Sequence, residues 1–285
     1  MSIVCIVGPT AGGKSGLAML VAQKHSGEII CVDSQTIRKG LDVGTAKPTK
    51  QDQKLVRHHM LDIVEPYEEF TAAEFKRRAE VAIEDIQSRG KLPILVGGTG
   101  LYMDAILFNY EFNRKADERL RNELSKKTVA ELQGIIAEKN LQMPENSKNP
   151  RHLIRTIESD GKQAKKRMQR EDAIVIGIDP GKKLTKRIEA RAVSMAKEGL
   201  VEEAMAVVDA YGEPPRHWDA IGYQIVLNTL AGNVKHEDIQ DVLTQALIVA
   251  HRQYAKRQRA WFTRNKAITW FEQAEDAALY IEKHL

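Results

Sequence analysis

Apolar residues along the chain fall into two repeating patterns. Short apolar runs rich in β-branched residues occur at Ser2 to Val7, Glu28 to Val32, Leu92 to Val96 and Ala173 to Asp179. Each has the length of a strand buried on both faces, and each meets glycine or aspartate at its end. Between them the period lengthens to that of a helix. Gly16 to His25 has helical character. Thr71 to Gly90 is the clearest case, with Phe75, Ala79, Ala82, Ile83 and Ile86 on one stripe. Thr71 and Glu74 are spaced as a capping box, and Gly90 suits the C-terminal stop. A further helix starts at Leu101. Strands alternating with helices predict an α/β fold, a parallel sheet with helices on both faces. Ligands of such sheets bind beyond the C-terminal ends of the strands.

From Asn113 to Arg170 the strand signal disappears. The stretch is charged and helical in pattern, with a break at Met143 to Pro150. It reads as a helical insertion, residues 113–170, in a core made of residues 1–112 and 171–285. After Asp179 the pattern is helical again, interrupted by a turn near Gly212 to Pro215.

A chain of 285 residues with 42% hydrophobic content can bury a core without disulfide or metal staples. No run approaches the roughly 20 apolar residues of a membrane span. Met1 to Val7 enters an apolar run without a basic leader, which predicts a cytoplasmic protein. Cys5 and Cys31 lie in apolar runs without metal-ligand spacing and read as buried, reduced thiols. The formal charge is +4 and the pI about 8.9. That mild excess of base leaves the question of a nucleic-acid partner to its distribution.

Gly8-Pro9-Thr10-Ala11-Gly12-Gly13-Lys14-Ser15 matches G-x-x-x-x-G-K-[ST] in full, between a strand and a helix. It predicts a P-loop NTPase-like core. The glycines let backbone N–H groups curl around phosphate oxygens, and the following helix adds its dipole. Lys14 brings a cation, and the Ser15 hydroxyl suits Mg²⁺. The guest is a nucleotide such as ATP or another diphosphate. No N-K-x-D string occurs, which argues against a GTPase. The strand Leu92 to Val96 runs into Gly-Gly-Thr-Gly, without the acidic residue that holds Mg²⁺ in many ATPases.

Asp33 follows the second strand, so its carboxylate faces the phosphate crevice. There it can accept a proton from a nucleophile, hold Mg²⁺, or cap a turn. Position alone leaves all three open.

The residues from Asp33 to Pro48 (DSQTIRKGLDVGTAKP) resemble the D-S-x-Q-V-Y-[RK]-G-x-D-I-G-T-A-K-P signature of the tRNA dimethylallyltransferases. Gly8 to Ser15, His58 to Ile63 (HHMLDI), Gly97 to Tyr102 (GGTGLY), Arg151 to Glu158 (RHLIRTIE), Ala220 to Tyr223 (AIGY) and Arg252 to Phe262 (RQYAKRQRAWF) are also similar to that family, in family order. G-T-A-K-P and Y-A-K-R-Q are specific strings; the P-loop alone is not.

The resemblance implies a transfer rather than a hydrolysis. A dimethylallyl group would pass from dimethylallyl diphosphate to N6 of the adenine beside the anticodon of a tRNA. The P-loop would hold the diphosphate, with Mg²⁺ as cofactor. Asp33 matches the family's base, and Thr99 a threonine at the reacting centre. Ser34, Gln35 and Thr36 match the segment that meets the extruded base. Arg121, Arg151 and Arg155 match tRNA-contacting positions, and His152, Arg252, Lys256, Arg257 and Arg259 are further tRNA-binding candidates. A weak amine nucleophile needs such a base, and the leaving diphosphate needs the loop's amides and Lys14. A target base must leave its stack to be modified.

By helical spacing, Arg252, Lys256 and Arg259 share one face, while Leu247, Ala250, Tyr254 and Trp261 share another. Lys162, Lys165, Lys166, Arg167 and Arg170 form a second basic group. Two such surfaces suit an anticodon stem-loop gripped by its backbone. His58 and His59 have no third ligand at metal spacing and read as structural or as support for the phosphate pocket. The chain departs from the family pattern at Thr36 (usually Gln), Arg38 (usually Tyr), Gln224 (usually Lys or Arg) and His251 (usually Thr). Thr36 cannot make the bidentate contact open to Gln. A monomer is expected. Two rival readings are a small-molecule kinase using ATP, which does not account for G-T-A-K-P or Y-A-K-R-Q, and a non-catalytic RNA-binding protein that keeps the P-loop as scaffold and would bind tRNA without forming product.

Overall fold

A computed structural model of the chain describes residues 2–112, 117–162, 165–215, 218, 220–232 and 234–285. It divides into two compact units, Met1–Leu107 with Arg170–Leu285, and Phe108–Gln169. The boundary read at Asn113 lies outside the described residues.

The first unit opens with β1 (Ile3–Val7), α1 (Lys14–Lys24), β2 (Glu28–Val32), α2 (Lys50–Leu55), β3 (His58–His59), α3 (Ala72–Ser88), β4 (Pro93–Gly97) and α4 (Gly100–Leu107). All five residues of β1 are fully buried. A central parallel strand is covered on both faces, which is why its sequence is a continuous apolar run rather than an alternation. α3 buries Phe75, Ala79, Ile83 and Ile86, and Phe75 stacks on Tyr102 with ring centroids 4.3 Å apart. Its cap differs from the expected box. The Thr71 side chain accepts from the Glu74 N–H, but the Glu74 carboxylate turns to Arg77 and Arg78, each at 2.7 Å. Two guanidinium partners one turn ahead outcompete a backbone N–H for a charged acceptor.

The second unit holds α5 (Glu118–Leu124), α6 (Val129–Glu138) and α7 (Pro150–Glu158). Leu124, Leu132, Ile136, Leu153 and Ile157 form its core. Thr128 and Glu131 close a full capping box on α6. Asn149 caps α7, with Pro150 in its first turn, where no N–H is needed. An antiparallel bridge joins Lys165, within the stretch read as a helical insertion, to Glu111 just before it.

The first unit resumes with β5 (Ala173–Ile178), α8 (Leu184–Lys197), α9 (Leu200–Tyr211), α10 (Ile221–Ala231), α11 (Ile239–Phe262), β6 (Thr269–Phe271) and α12 (Ala274–His284). Among the described residues the sheet has six strands in the order β3-β2-β4-β1-β5-β6, every pair parallel. The two edge strands were not read from the sequence, because two or three residues are too few to carry a period. One core cluster joins Ile6, Val21, Ile94 and Ile176 with Ala277 and Ile281 of α12. Another joins Leu41, Ala192, Leu200, Tyr223 and Leu247 among the later helices.

The buried stripe of α11 is displaced from the one expected. It runs through Leu247, His251, Ala255, Gln258 and Phe262, while Ala250, Tyr254 and Trp261 are half-buried flanks. Two of the five stripe residues are polar, so counting apolar positions shifts the face. No helix among the described residues is long and apolar enough to cross a membrane.

Candidate active site

The strand ends bring the loop Gly8 to Ser15, Asp33, and the turn Gly98 to Thr99 to the same edge of the sheet, because β1, β2 and β4 are parallel neighbours in register. The first loop closes on itself, with the Gly12 N–H donating to the Pro9 carbonyl at 3.1 Å. Ala11 (φ 58°) and Gly13 (φ 104°) take left-handed conformations. Gly13 is the N-cap of α1, a backbone position that a Cβ would strain. Reversed residues of this kind turn successive N–H groups into one concavity, and the start of α1 adds its positive end. The Lys14 ammonium donates to the Pro9 carbonyl at 2.8 Å.

Of these groups, Thr10, Lys14, Asp33 and Gly98 line a cleft of about 720 Å³, together with Ser15, Ser34, Gln35 and Thr36. Asp33 Oδ1 accepts the N–H groups of Gln35 (2.8 Å) and Thr36 (3.3 Å). The expected turn-capping and cleft-facing roles therefore coexist in one side chain. Thr99 Oγ1 accepts the Ser34 N–H at 3.0 Å, which ties the Thr99 turn to the residue after Asp33. Thr36 is buried, and its Oγ1 has no hydrogen-bond partner. An unpaired buried hydroxyl costs about 1–3 kcal/mol unless a ligand completes it. Arg38 spans the loop behind, donating from one guanidinium nitrogen to the carbonyls of Glu65, Pro66 and Glu68.

Several residues in the cleft, or, like Arg187, bonded to the phosphate loop, carry no role in the sequence reading. Arg187 and Arg191 lie one turn apart on α8. Arg187 donates to the Gly12 carbonyl at 3.0 Å, and Arg191 to the Thr45 carbonyl at 3.2 Å. Gln258 of α11 takes the Thr10 N–H at 2.7 Å and donates to the Gly98 carbonyl at 3.0 Å. Lys47, with its side chain 2% exposed, reaches Asp42 and Asp62. His251 lines the cleft as well. The i, i+4 spacing of the two α8 arginines was the available signal, but charged residues on a helix are usually solvated.

Charge in the cleft is held away from its solution state. Burial, with Arg191 nearby, brings the Lys14 ammonium down to about 8, against a smaller opposing pull from Asp33. Burial lowers the Arg191 guanidinium too, and Asp33 again opposes. The His251 imidazole is pushed down to about 4 by burial and by Arg191, and is neutral at physiological pH. The cleft thus concentrates positive charge around Asp33, while the other carboxylate on its wall, Asp52, is taken up by the Thr49 cap of α2.

The candidate tRNA-binding residues fall in both units. On α11, Lys256 and Arg257 are exposed, and Arg257 stacks over Tyr254 at 5.6 Å. Arg252 pairs with Glu189 at 2.6 Å, and Arg259 makes a two-pronged pair with Asp179. In the second unit Arg121 holds Glu158 through two nitrogens, and Arg155 lies 3.6 Å from the same carboxylate. Arg151 and His152 are exposed in the first turn of α7.

Ser15 is exposed in the cleft, and Asp33 shares that cleft. A hydroxyl and a carboxylate are hard oxygen donors and fit Mg²⁺. The three-residue group of possible metal ligands among the described residues lies elsewhere: Glu28, His59 and Asp85. Glu28 opens β2, at the opposite end of the strand from Asp33. Its carboxylate is taken by Arg89, Lys91 and His59, so this is an ion-pair network rather than a metal pocket. His58 bonds the Val56 carbonyl through Nδ1 at 2.8 Å and faces the cleft.

The IPP transferase family profile matches residues 36–266 of the chain. The chain belongs to the IPP transferase family. The tRNA dimethylallyltransferase of Oceanobacillus iheyensis is 36% identical over 290 residues, covering 95% of this chain and 91% of the relative. That of Leuconostoc mesenteroides is 40% identical over 266 residues, 90% and 88% of the two chains. Among solved structures, the full-length tRNA isopentenylpyrophosphate transferase of Bacillus halodurans superposes with a TM-score of 0.71 at 32% identity, covering 99% of this chain and 96% of that one. A eukaryotic dimethylallyltransferase acting on tRNA gives a TM-score of 0.74 at 26% identity over 91% of this chain and 69% of its own. The family match starts after the phosphate loop, so it is independent of the loop's common motif.

Proposed function

We propose that the chain transfers a dimethylallyl group from dimethylallyl diphosphate to the exocyclic N6 of the adenine beside the anticodon of a tRNA, releasing diphosphate. The observation that carries this reading is that Asp33 shares one cleft with Lys14 and Arg191 and acts electrostatically on both. The reaction breaks an allylic C–O bond and forms a C–N bond. The electron pair of the C–O bond leaves with the diphosphate, and the proton on N6 goes to the Asp33 carboxylate. Lys14, the N–H groups at the start of α1 from Gly13 to Ser15, and Arg191 stabilise the charge that grows on the leaving group. Ser15 would hold Mg²⁺, which supplies further neutralisation of the diphosphate when bound.

Asp33 is held by the Gln35 and Thr36 amides, so the base is oriented before substrate arrives. Thr99 fixes the adjoining turn through the Ser34 amide. The unpaired Thr36 hydroxyl offers a single hydrogen bond to an extruded base. The exposed Lys256 and Arg257 on α11, and Arg151 and His152 on α7, supply backbone contacts to the RNA.

The test is incorporation of labelled dimethylallyl diphosphate into unmodified tRNA with Mg²⁺, with and without ATP. Label in tRNA independent of ATP is the expected outcome. Absence of label, together with phosphoryl transfer from ATP to a small acceptor, would replace this reading with a kinase.

A further inference from the structure

Glu203 sits in the first turn of α9 and is not among the cleft-lining residues, yet it holds one wall of the cleft. Its carboxylate gathers the N–H groups of three consecutive residues. Oε2 accepts from Asp42 at 2.8 Å and from Val43 at 2.9 Å, and Oε1 accepts from Val43 at 3.0 Å and Gly44 at 3.1 Å. The Tyr223 hydroxyl donates to Oε1 as well. Three successive amides aimed at one point form the kind of concavity that proteins offer to anions. Here the chain fills it with its own carboxylate. The fit is close: a Cβ on Gly44 would stand 2.6 Å from the Tyr223 ring.

The opposite side of the same loop belongs to the cleft. Gly44, Thr45, Ala46 and Lys47 line it. The Thr45 carbonyl takes the hydrogen bond from Arg191. Inside the loop, the Thr45 hydroxyl donates to the Leu41 carbonyl at 2.6 Å and the Lys47 N–H to the Asp42 carbonyl at 3.0 Å. A movement of the Asp42 to Gly44 amides is therefore passed to Thr45 and on to the Arg191 guanidinium.

We propose that Glu203 is a positioning residue. By fixing the Asp42 to Lys47 loop, it sets where Arg191 meets the diphosphate of the prenyl donor. This rests on the reading of the cleft as the donor's site. Replacing the carboxylate by an amide removes the charge from the hydrogen bonds and turns an N–H₂ group toward backbone N–H groups, so the loop loses its anchor. A cation displaced by about an ångström from its ligand can cost up to a hundredfold.

Full-length wild type, Glu203→Gln, Glu203→Asp and Tyr223→Phe are compared by four measurements. These are the Kd for inorganic diphosphate by calorimetry, the KM for dimethylallyl diphosphate, the KM for tRNA, and the thermal midpoint. Glu203→Gln is expected to weaken diphosphate binding about tenfold and to raise the donor KM in parallel, with the tRNA KM changed by less than about twofold. Glu203→Asp keeps the charge and is expected to recover part of the loss. A lowered midpoint with diphosphate affinity unchanged would make Glu203 merely structural and overturn the proposal. Should Glu203→Gln fail to fold, the same criterion applies to Glu203→Asp and Tyr223→Phe: unchanged diphosphate affinity in both overturns it. Wild type that binds diphosphate without labelling tRNA would sink the transferase reading instead, while the effect of Glu203 on diphosphate affinity would still be readable.

Discussion

The side-chain oxygen of Gln258 accepts the backbone N–H of Thr10 at 2.7 Å, across 248 positions of sequence. Its amide nitrogen donates to the Gly98 carbonyl, so one buried side chain joins the phosphate loop to the turn that carries Thr99. Gln258→Leu preserves bulk but leaves the Thr10 N–H and the Gly98 carbonyl without that partner. Stability should fall by about 1–3 kcal/mol for each group left unpaired. Urea denaturation measures this, and the KM for the donor should rise with it. A variant as stable as wild type would show that the bridge is dispensable.

Asp33 takes two amides as well as facing the cleft, so Asp33→Ala disturbs both the turn and the chemistry. Asp33→Asn keeps an acceptor for the Gln35 and Thr36 N–H groups and removes the base. Its single-turnover rate should drop by about 10² to 10⁴, with tRNA affinity close to that of wild type. An unchanged rate would remove Asp33 as the base.

Lys14 is held down to about 8, mainly by burial. Its charge, and with it the affinity for diphosphate, should decline as pH rises through that value. Bound diphosphate favours the ammonium, so complex formation near pH 8 should take up protons. Calorimetry in buffers of different ionisation heat measures that uptake. For stability the sign is opposite to that of a salt-bridged lysine. The unfolded chain binds the proton more tightly than the folded one, so this group adds stability as pH climbs from about 8 toward the ordinary value of 10.5. Affinity that stays flat to pH 9 would contradict the assignment.

The basic residues of α11 should separate into two behaviours. Lys256 is exposed, and Lys256→Ala should reduce the salt slope of tRNA binding by roughly 0.7 to 0.9, one phosphate contact. Arg259 is committed to Asp179. Arg259→Ala should lower the thermal midpoint by about 2–4 °C, as a loss near 1 kcal/mol does in a chain of this size, with a smaller change of slope. Equal slope changes in the two variants would mean that the Asp179 pair opens to bind RNA.

The parts of this molecule legible in the sequence are those with a periodic or contiguous signal. The central strands announce themselves as apolar runs. The loop Gly8 to Ser15 does so as a motif, and Asp33 by following a strand. Arg191 and Gln258 were not legible in the same way. Each sits on a helix among other charged or polar residues, and its partners lie in loops about 146 to 248 positions earlier, on which α8 and α11 pack only in the folded chain. The stripe of α11 was misplaced for the same reason, since His251 and Gln258 are buried for their hydrogen-bonding and cleft-lining positions rather than for apolarity. Glu203 lay beyond reach: its partners are backbone amides some 160 positions away, which no side-chain pattern records.

The position of α12 bears on how the protein is made. Ala277 and Ile281 are fully buried in the same cluster as Val4, Leu17 and Val21, so the earliest and latest segments share one core. On a ribosome, synthesis runs at about 5–20 residues per second and early segments ordinarily fold first. Here β1 and α1 must wait for β5 and then for α12 before their apolar faces are covered. The first hundred residues therefore cannot close this core alone, and the phosphate loop gains its final support only when segments more than 160 positions later have docked.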